Sequence, residues 1–358
     1  MTRILSSDLL IADVIVPLDG NPHLLELADK YRMKPGNKQL LNDEQMKEFS
    51  AALEGVAVTV TPGGSSANML STLGKLLGKE IEVRFVGMPG NGVYGNVLRD
   101  AMAEAGIALV PERFPQCHAT MESAVSFVFV YPDGQCSIAT YSGNARDILK
   151  PALLPEHLVK NSDIVLVQGS LWHKFNLEFT DRLIKLCKLH YKQLWLTLPT
   201  QANLTMEESN KFMDALAHAS LVFGNQAELE RLYDMPLKDA LQHLQKTLRD
   251  HERAEEATGR TLGFITFGKN GAAIVGPHGV DDVPPIAIED ADIKNTLGAG
   301  DTAYGGFAAG YIKKLPDNVS AKIAMALAGE KLRINSSRLP NPKAALKNVA
   351  ADLARFLS

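Results

Sequence analysis

Short apolar runs alternate with helical periodicities along the second half of the chain. Runs that are short, apolar and bounded by turn residues are typical of strands buried on both faces of a sheet. The strand-like runs are residues 164–169, 194–198, 221–224 and 263–267. Apolar residues at helical spacing fill the intervals, at residues 177–190, 206–217, 226–233 and 237–248. This alternation predicts an α/β fold with a doubly wound, mostly parallel central sheet flanked by helices, whose ligands lie at the carboxyl ends of the strands.

The amino-terminal half mixes strand and helix signals. Residues 9–16 are apolar except for Asp13, which predicts a buried first strand that carries one carboxylate. Such a carboxylate is costly unless it is paired or faces a cleft, so Asp13 is either a turn residue or a clamp for substrate hydroxyls. The remaining elements predicted here are helices over residues 23–37, 43–54 and from the turn at 90–95 to 106, and strands over residues 56–60 and 81–87.

A hairpin is predicted in the middle of the chain. Residues 123–131 and 137–141 are rich in β-branched and aromatic side chains, and residues 132–135 form a turn signal between them. Phe127 and Phe129 share one face of the first strand, where core packing is commoner than contact with a ligand. Core packing is also the commoner role for Leu171 and Trp172. The polar run at residues 249–260 predicts a solvated loop.

One stretch carries the strongest chemical signal. Residues 295–302 read Asn-Thr-Leu-Gly-Ala-Gly-Asp-Thr and lead into a small, apolar segment that predicts a buried helix starting near Asp301. Glycine-rich loops expose consecutive backbone N–H groups, and a helix N-terminus adds positive potential, so the stretch predicts an anion site. Asp301 is then either a helix cap or a base held beside a phosphate. The pattern alone leaves both interpretations open.

A second stretch favours the base. Gly63 and Gly64 form a turn after the predicted strand at 56–60, and Asn68 follows shortly after them, before a predicted helix that begins at Met69. With both stretches in this order, the chain resembles the ribokinase-like (PfkB) family of carbohydrate and nucleoside kinases. The carboxyl-terminal signature of that family is Asp-Thr-x-Gly-Ala-Gly-Asp, and Asn295 stands here in its first position. The resemblance spans nearly the whole chain, and residues 23–41 resemble the adenosine kinase branch.

The resemblance implies an activity. It implies transfer of the ATP γ-phosphoryl group to the 5′-hydroxyl of a ribonucleoside, adenosine first, with Asp301 as the base and the amides of the loop holding the developing charge. The implied catalytic residues are Asp301, Gly298, Ala299 and Gly300. It implies ATP and Mg²⁺ as cofactors and admits K⁺. Three alternatives stay open: a kinase for another nucleoside such as inosine or guanosine, a kinase for a sugar such as ribose, and a catalytically silent relative that binds nucleotide.

The resemblance also implies a substrate site. Its residues are Asp13, Gly63, Gly64, Ser65, Asn68 and Asn144. Two departures from the family pattern accompany this set. Asp8 and Leu9 stand where the family has Gly-Asn before the substrate-binding aspartate, and Gly92 replaces an aspartate in the turn at residues 90–95.

The nucleotide site follows from the same resemblance. Its residues are Asn225, Glu228, Thr266, Gly268, Gly271 and Thr296, with residues 329–337 bordering the adenine. Glu228 is expected to reach Mg²⁺ through water. Asn225 and Glu228 also have the spacing of a helix capping box, and both roles are compatible. Arg146 is either a contact for the transferring phosphoryl group or a solvated surface residue.

The same resemblance sets the expected domain organisation. We expect residues 1–358 to form a single kinase domain with a discontinuous β lid drawn from about 13–60 and 112–145. Quaternary state is left open between monomer and homodimer.

Composition narrows the classes of partner. The 358 residues have a net charge of −4 and an isoelectric point near 6.2, so no basic field predicts binding to nucleic acid or to an anionic membrane. Three cysteines without metal-like spacing are typical of structural thiols. The sequence has neither an apolar run of membrane-spanning length nor a convincing signal peptide. We therefore expect a cytoplasmic protein whose partners are small molecules.

Overall fold

Two separate β-sheets organise the chain. The computed structural model describes residues 1–110, 121–145, 149–173, 175–200, 204–253, 258–350, 353 and 355. Within these residues the strands, in chain order, are β1 Thr2–Ser7, β2 Ile11–Pro17, β3 Lys38–Leu40, β4 Thr59–Pro62, β5 Ile81–Val86, β6 Ile107–Leu109, β7 Ala124–Val130, β8 Cys136–Tyr141, β9 Ile164–Val167, β10 Gln193–Thr197, β11 Ala219–Asn225, β12 Leu262–Thr266, β13 Ala272–Gly276 and β14 Gly279–Val283.

Helices connect these strands. In chain order they are α1 Pro22–Lys30, α2 Asp43–Ala52, α3 Ser65–Leu77, α4 Gly92–Glu104, α5 Glu156–Lys160, α6 Leu177–Leu189, α7 Met206–Leu216, α8 Gln226–Tyr233, α9 Leu237–Glu252, α10 Ala299–Ile312, α11 Asp317–Leu332 and α12 Pro342–Val349.

The large sheet confirms the predicted fold class. Its strand order is β14-β13-β12-β11-β10-β9-β1-β5-β6, and all neighbours are parallel except β12–β13 and β13–β14. Successive strand residues point to opposite faces, so Trp195 lies in one core while Leu194 and Leu196 lie in the other. Because both faces are covered, the central strands β9 to β12 are mostly apolar.

The small sheet has its own core. Its strand order is β3-β8-β7-β2-β4. Phe127 and Phe129 of β7 are buried against Phe49 of α2, and their ring centroids lie 5.4 and 5.8 Å, respectively, from that of Phe49. These two phenylalanines are therefore core residues. Leu171 and Trp172 are likewise buried, beside the large sheet.

Several element predictions differ from the structure. The helix predicted over residues 23–37 ends at Lys30, and the strand predicted over residues 56–60 lies at Thr59–Pro62. Residues 9–16 were predicted as the first strand, but β1 at Thr2–Ser7 precedes them and β2 belongs to the small sheet. The polar Ser6 and Ser7 obscure β1, although both are buried and the Ser6 hydroxyl donates to the Leu166 carbonyl. The loop predicted from residue 249 was also wrong at its start, because α9 continues to Glu252.

No helix among the described residues has both the length and the apolar character needed to cross a membrane.

Candidate active site

Asp301 lies in the first turn of α10. Gly298 precedes the helix with a left-handed φ of +72°, and a Cβ there would come 1.9 Å from the Ser337 carbonyl oxygen. Only glycine fits this approach. The Ala299 amide donates to the Thr296 carbonyl at 3.4 Å, and the remaining first-turn amides and the positive end of α10 lie at the end of the helix that carries Asp301. This arrangement can hold an anion.

Asn68 connects Asp301 to the glycine turn. Its Nδ2 donates to Asp301 Oδ2 at 3.0 Å, and its Oδ1 accepts from Arg338 Nε at 2.7 Å. Arg338 Nη2 also donates to the Gly63 carbonyl at 3.0 Å. Because a carboxylate only accepts and a guanidinium only donates, these contacts fix the orientation of the amide. Asn68 and Arg338 are both buried.

Asp13 lies directly against the glycine turn. A Cβ on Gly63 would come 2.1 Å from Asp13 Oδ2, and a Cβ on Gly64 would come 2.7 Å from the Leu9 carbonyl oxygen. Gly64 also has a left-handed φ of +89°. The two glycines are therefore needed here so that a carboxylate and a backbone carbonyl can approach the turn.

Both carboxylates bind protons more tightly than usual. Burial raises the pKa of Asp301 to about 6, and the hydrogen bond from Asn68 and the charges of Lys38 and Arg338 oppose that shift. Burial raises the pKa of Asp13 to about 7, against the Ser337 hydroxyl and the charge of Arg338. Perturbed carboxylates that face one another across two elements are typical of functional sites.

A third carboxylate belongs to Asp8, one of the two residues that stand where the family has Gly-Asn. Asp8 follows β1, is buried, and accepts hydrogen bonds from the Ser170 hydroxyl and from the backbone of Leu9 and Ser66. Burial raises its pKa, and its charge acts on Asp301. Asp8 thus adds a negative group at the carboxyl end of β1.

The predicted nucleotide residues lie at the carboxyl ends of β11 and β12. Asn225 and Thr266 are partners in the parallel register of these strands. Asn225 Oδ1 accepts from the Glu228 amide, and Glu228 Oε2 accepts from the Asn225 amide, both at 3.0 Å. The capping box therefore exists. Burial raises the pKa of Glu228, and the nearby charge of Asp301 adds to the shift, whereas Lys38 opposes it.

The remaining predicted residues surround this centre. Ser65 begins α3 and is partly buried, and Asn144 accepts from the Glu122 amide at 3.3 Å beside the small sheet. Thr296 donates its amide to the Gly134 carbonyl. Gly268 and Gly271 bound a short turn after β12, and a Cβ on Gly271 would come 2.2 Å from the Val283 carbonyl oxygen. Arg146 lies outside the described residues.

A largely apolar cavity of about 300 Å³ lies between the segment that follows β14, helix α11 and the end of α12. Pro285, Ile286, Met325 and Gly329 are among the residues that line it. A Cβ on Gly329 would contact Ile286 and Ile288 at 3.3–3.5 Å. The predicted border residue Gly329 therefore does line a pocket with room for a planar base.

Two cations near the carboxylates were not found from the sequence. Arg338 pairs with residues more than two hundred positions away, a contact that no local pattern signals. Lys38, an exposed residue of β3, acts electrostatically on Asp13, Asp301 and Glu228. A residue of the small sheet therefore acts electrostatically on Asp301 of α10 and on Glu228 of α8. In the described part of the chain, no cluster of three or more His, Cys, Asp or Glu side chains has the arrangement of a metal site.

Comparisons with known proteins place this geometry in a family. The pfkB family carbohydrate kinase profile matches residues 39–344. Among curated proteins, a ribokinase of Lactococcus lactis is 23% identical over 317 residues, which cover 82% of this chain and 88% of the relative. An adenosine kinase of Saccharomyces cerevisiae is 24% identical over 318 residues, which cover 82% of this chain and 87% of the relative.

Solved structures share the fold across the full chain. A probable sugar kinase from Rhizobium etli superposes with a TM-score of 0.81 at 20% identity, covering 99% of this chain and all of that one. The adenosine kinase of Sinorhizobium meliloti gives a TM-score of 0.78 at 19% identity, covering 97% and 99%. Since the family profile covers most of the sequence, this chain belongs to the pfkB family of carbohydrate kinases and is a phosphotransferase with a hydroxyl acceptor.

Proposed function

We propose that this family member is an ATP-dependent nucleoside kinase that phosphorylates the 5′-hydroxyl of a ribonucleoside, adenosine first. The observation that carries the proposal is the bridge from Asp301 through Asn68 to Arg338 and the Gly63 carbonyl. It joins a basic carboxylate to the turn beside Asp13, where a polyhydroxylated substrate fits. Relatives described as adenosine kinases, from yeast and from Sinorhizobium meliloti, support the choice of adenosine.

In the proposed reaction, Asp301 accepts the proton of the attacking hydroxyl. Phosphoryl transfer depends mainly on positioning and on stabilising charge, and the proton leaves late. A base with a pKa near the operating pH suits this task, and the pKa of Asp301 is raised to about 6. Asn68 holds the carboxylate by one oxygen, which leaves the other to face the hydroxyl. The acceptor thereby keeps a fixed direction relative to α10.

The loop before α10 stabilises the negative charge that develops on the phosphoryl oxygens. Preorganised amides aimed at such charge contribute strongly because they need no reorganisation during the reaction. Gly298 adopts its left-handed conformation against Ser337, which fixes the loop that carries the amides of Ala299 and Gly300. Asp13 and Asn68 hold the sugar hydroxyls on the opposite side.

The donor set suits a magnesium ion held mostly by water and phosphate. Mg²⁺ retains several waters and is commonly bound through one or two carboxylates plus phosphates. Glu228 and Asp301 are carboxylates within electrostatic reach of each other, which fits that pattern and fits no closed protein cage. When bound, Mg²⁺ would neutralise charge on the ATP phosphates. Glu228 would orient one of its waters.

ATP would place its base in the apolar cavity beside Gly329, and the small sheet would close over the sugar as a lid. With the base between Ile286 and Met325, we expect the phosphates to extend toward the loop at residues 296–300. Lys38 would arrive from the lid side with its charge toward the transferring group. This closure would exclude water from the reaction.

The test is a panel of nucleosides and free sugars assayed for substrate-dependent ADP release. We expect adenosine to give the highest kcat/KM and Asp301→Asn, as the matched inactive control, to abolish the signal. A preference for ribose or another sugar would favour the second candidate, a sugar kinase, which the ribokinase of Lactococcus lactis supports. Release of ADP with no acceptor preference would contradict both.

A further inference from the structure

A lysine is completely buried behind the glycine loop. Lys331 of α11 has no exposed surface, and its Nζ donates to the Asn295 side-chain oxygen at 3.0 Å and to the Asn295 carbonyl at 3.4 Å. Burying an ammonium costs free energy unless hydrogen bonds compensate. The free-energy cost of burying Lys331 suggests a function for this side chain. The proposed reaction steps do not involve it.

Lys331 is tied to the loop through Asn295. The same Asn295 Oδ1 accepts from the Leu297 amide at 3.1 Å, and its Nδ2 donates to Asn335 Oδ1 at 2.8 Å. One residue beyond Leu297, Gly298 lies against Ser337. Hydrogen bonds thus join the end of α11, Asn295 and Leu297, two residues before α10 begins. A shift of Lys331 would therefore disturb the loop that leads into α10.

The charge of Lys331 acts on the site as well as its hydrogen bonds. Burial lowers the pKa of Lys331 to about 8, while the facing groups, Cys136 of β8 and Asp301 of α10, oppose the shift. The side chain is therefore mainly an ammonium at neutral pH. Its charge lies on the protein side of the loop, where water does not screen it.

We propose that Lys331 is a positioning residue, a built-in monovalent cation that holds the 295–298 segment in its anion-binding conformation. The proposal rests on the proposed kinase function and extends it to ion dependence. An ammonium on the chain makes a dissolved ion of similar charge and size unnecessary, so turnover does not require K⁺. The family resemblance allows K⁺ as a cofactor, and in this chain the Lys331 ammonium would take the place of that ion.

The experiment compares wild type, Lys331→Met, Lys331→Ala and Lys313→Met in potassium, ammonium and choline chlorides at equal ionic strength. Lys313 is the control, since it forms an exposed ion pair with Glu80 at the far end of α10. We expect wild-type kcat to be the same in all three salts. We expect Lys331→Met to lose about tenfold or more in kcat, in the range of a lost charge-stabilising donor, with a smaller change in nucleoside KM.

The alanine variant separates a charge at this position from simple packing. Lys331→Ala leaves a space lined by the Asn295 oxygens, so ammonium and potassium should restore part of its activity while choline should not. Equal activity of Lys331→Ala in all three salts would overturn the proposal. So would kcat of Lys331→Met within about twofold of Lys313→Met, a difference below that of one hydrogen bond.

Binding measurements separate this proposal from the proposed function. Affinity for ADP is measured by calorimetry for the same four proteins, and thermal unfolding checks that each is folded. If wild type binds ADP but phosphorylates no compound in the panel, the proposed function fails, while weaker ADP binding by Lys331→Met than by Lys313→Met still supports Lys331. Equal ADP affinities of these two variants would count against it.

Discussion

At the scale of single residues, the site is built around carboxylates that burial keeps poorly solvated. Asp301, Asp13, Asp8 and Glu228 all have raised pKa values, and the buried cation that faces two of them is Arg338. Such a cluster costs stability. Under the proposed function, each of these carboxylates would bind a hydroxyl, a water or a phosphate-bound ion, which accounts for that cost.

Asp301→Asn tests the base directly. The amide keeps the size and most hydrogen bonds of the carboxylate, so we expect an unchanged fold and ADP affinity. Turnover should fall by about 10²–10⁴-fold, the usual contribution of a general base. Steady-state kinetics with calorimetry of ADP binding provide the measurement. Turnover within about tenfold of wild type would remove Asp301 from that role.

Asn68→Ala should affect substrate and pH dependence together. Loss of a contact to substrate hydroxyls should raise nucleoside KM by about tenfold while ATP KM changes little. The hydrogen bond from Asn68 lowers the pKa of Asp301, so its removal should move the acid limb of kcat/KM, near pH 6 in wild type, to higher pH. The pH profiles of both proteins measure this. Equal rises in both KM values with an unmoved limb would contradict the assignment.

Asp13→Asn should separate activity from stability. The folded pKa of Asp13 is about 7, above its ordinary value of 3.8, so its contribution to stability is present at low pH and is lost as pH rises through about 7. The neutral amide removes that loss. We expect Tm of the variant to exceed that of wild type at pH 8 and the difference to shrink by pH 5, with nucleoside KM raised. A variant less stable than wild type at pH 8 would refute the sign.

At the scale of elements, the glycine turns and helix starts decide where groups can approach. The turn at Gly63 and Gly64 brings β2 against α3, and the turn at Gly298 brings α10 against Ser337. Both were identified from the sequence because glycine in a strand-turn-helix pattern is a local signal. Their physical roles required the structure, since the neighbours that forbid a Cβ lie far away in the chain.

Gly298→Ala tests the loop as an element. The alanine must adopt φ near +72° and its Cβ would meet the Ser337 carbonyl at 1.9 Å, so the loop must open. Gly106→Ala is the matched control, with φ of +69° and no atom within 4 Å of the added Cβ. Both variants bear the left-handed penalty of about 1–2 kcal/mol, but only Gly298→Ala should also lose ADP affinity. Calorimetry checks this, and equal ADP affinities would show that the loop is not the phosphate site.

At the scale of the whole molecule, local sequence patterns predict some parts of the fold and miss those that depend on contacts between distant residues. The α/β class and the strands near residues 11–17 and 124–141 could be predicted from periodicity, turn residues and family resemblance. The strand predicted over residues 56–60 overlaps only the first half of β4. β1 could not, because Ser6 and Ser7 interrupt its apolar pattern. Arg338 and Lys331 could not either, because their importance comes from partners distant in sequence, Asn68 and Asn295.

Lys38→Met tests whether the two sheets act together. Lys38 belongs to the small sheet, yet its charge acts on Asp301 of α10 and Glu228 of α8. If the small sheet closes as a lid, removing the Lys38 charge should lower kcat by about tenfold or more, because that charge would no longer stabilise the transferring group. The control is Lys34→Met, because Lys34 is an exposed lysine in the preceding loop. Equal kcat values for the two variants would contradict a catalytic role for the Lys38 charge.

The most direct measurement is a crystal structure of the protein with adenosine and a non-hydrolysable ATP analogue. We expect the 5′-oxygen to lie within hydrogen-bond distance of the Asp301 carboxylate, about 2.6–3.2 Å, and the γ-phosphate to contact the amides of Ala299 and Gly300. An acceptor oxygen held by another group, or phosphates bound away from this loop, would contradict this expectation.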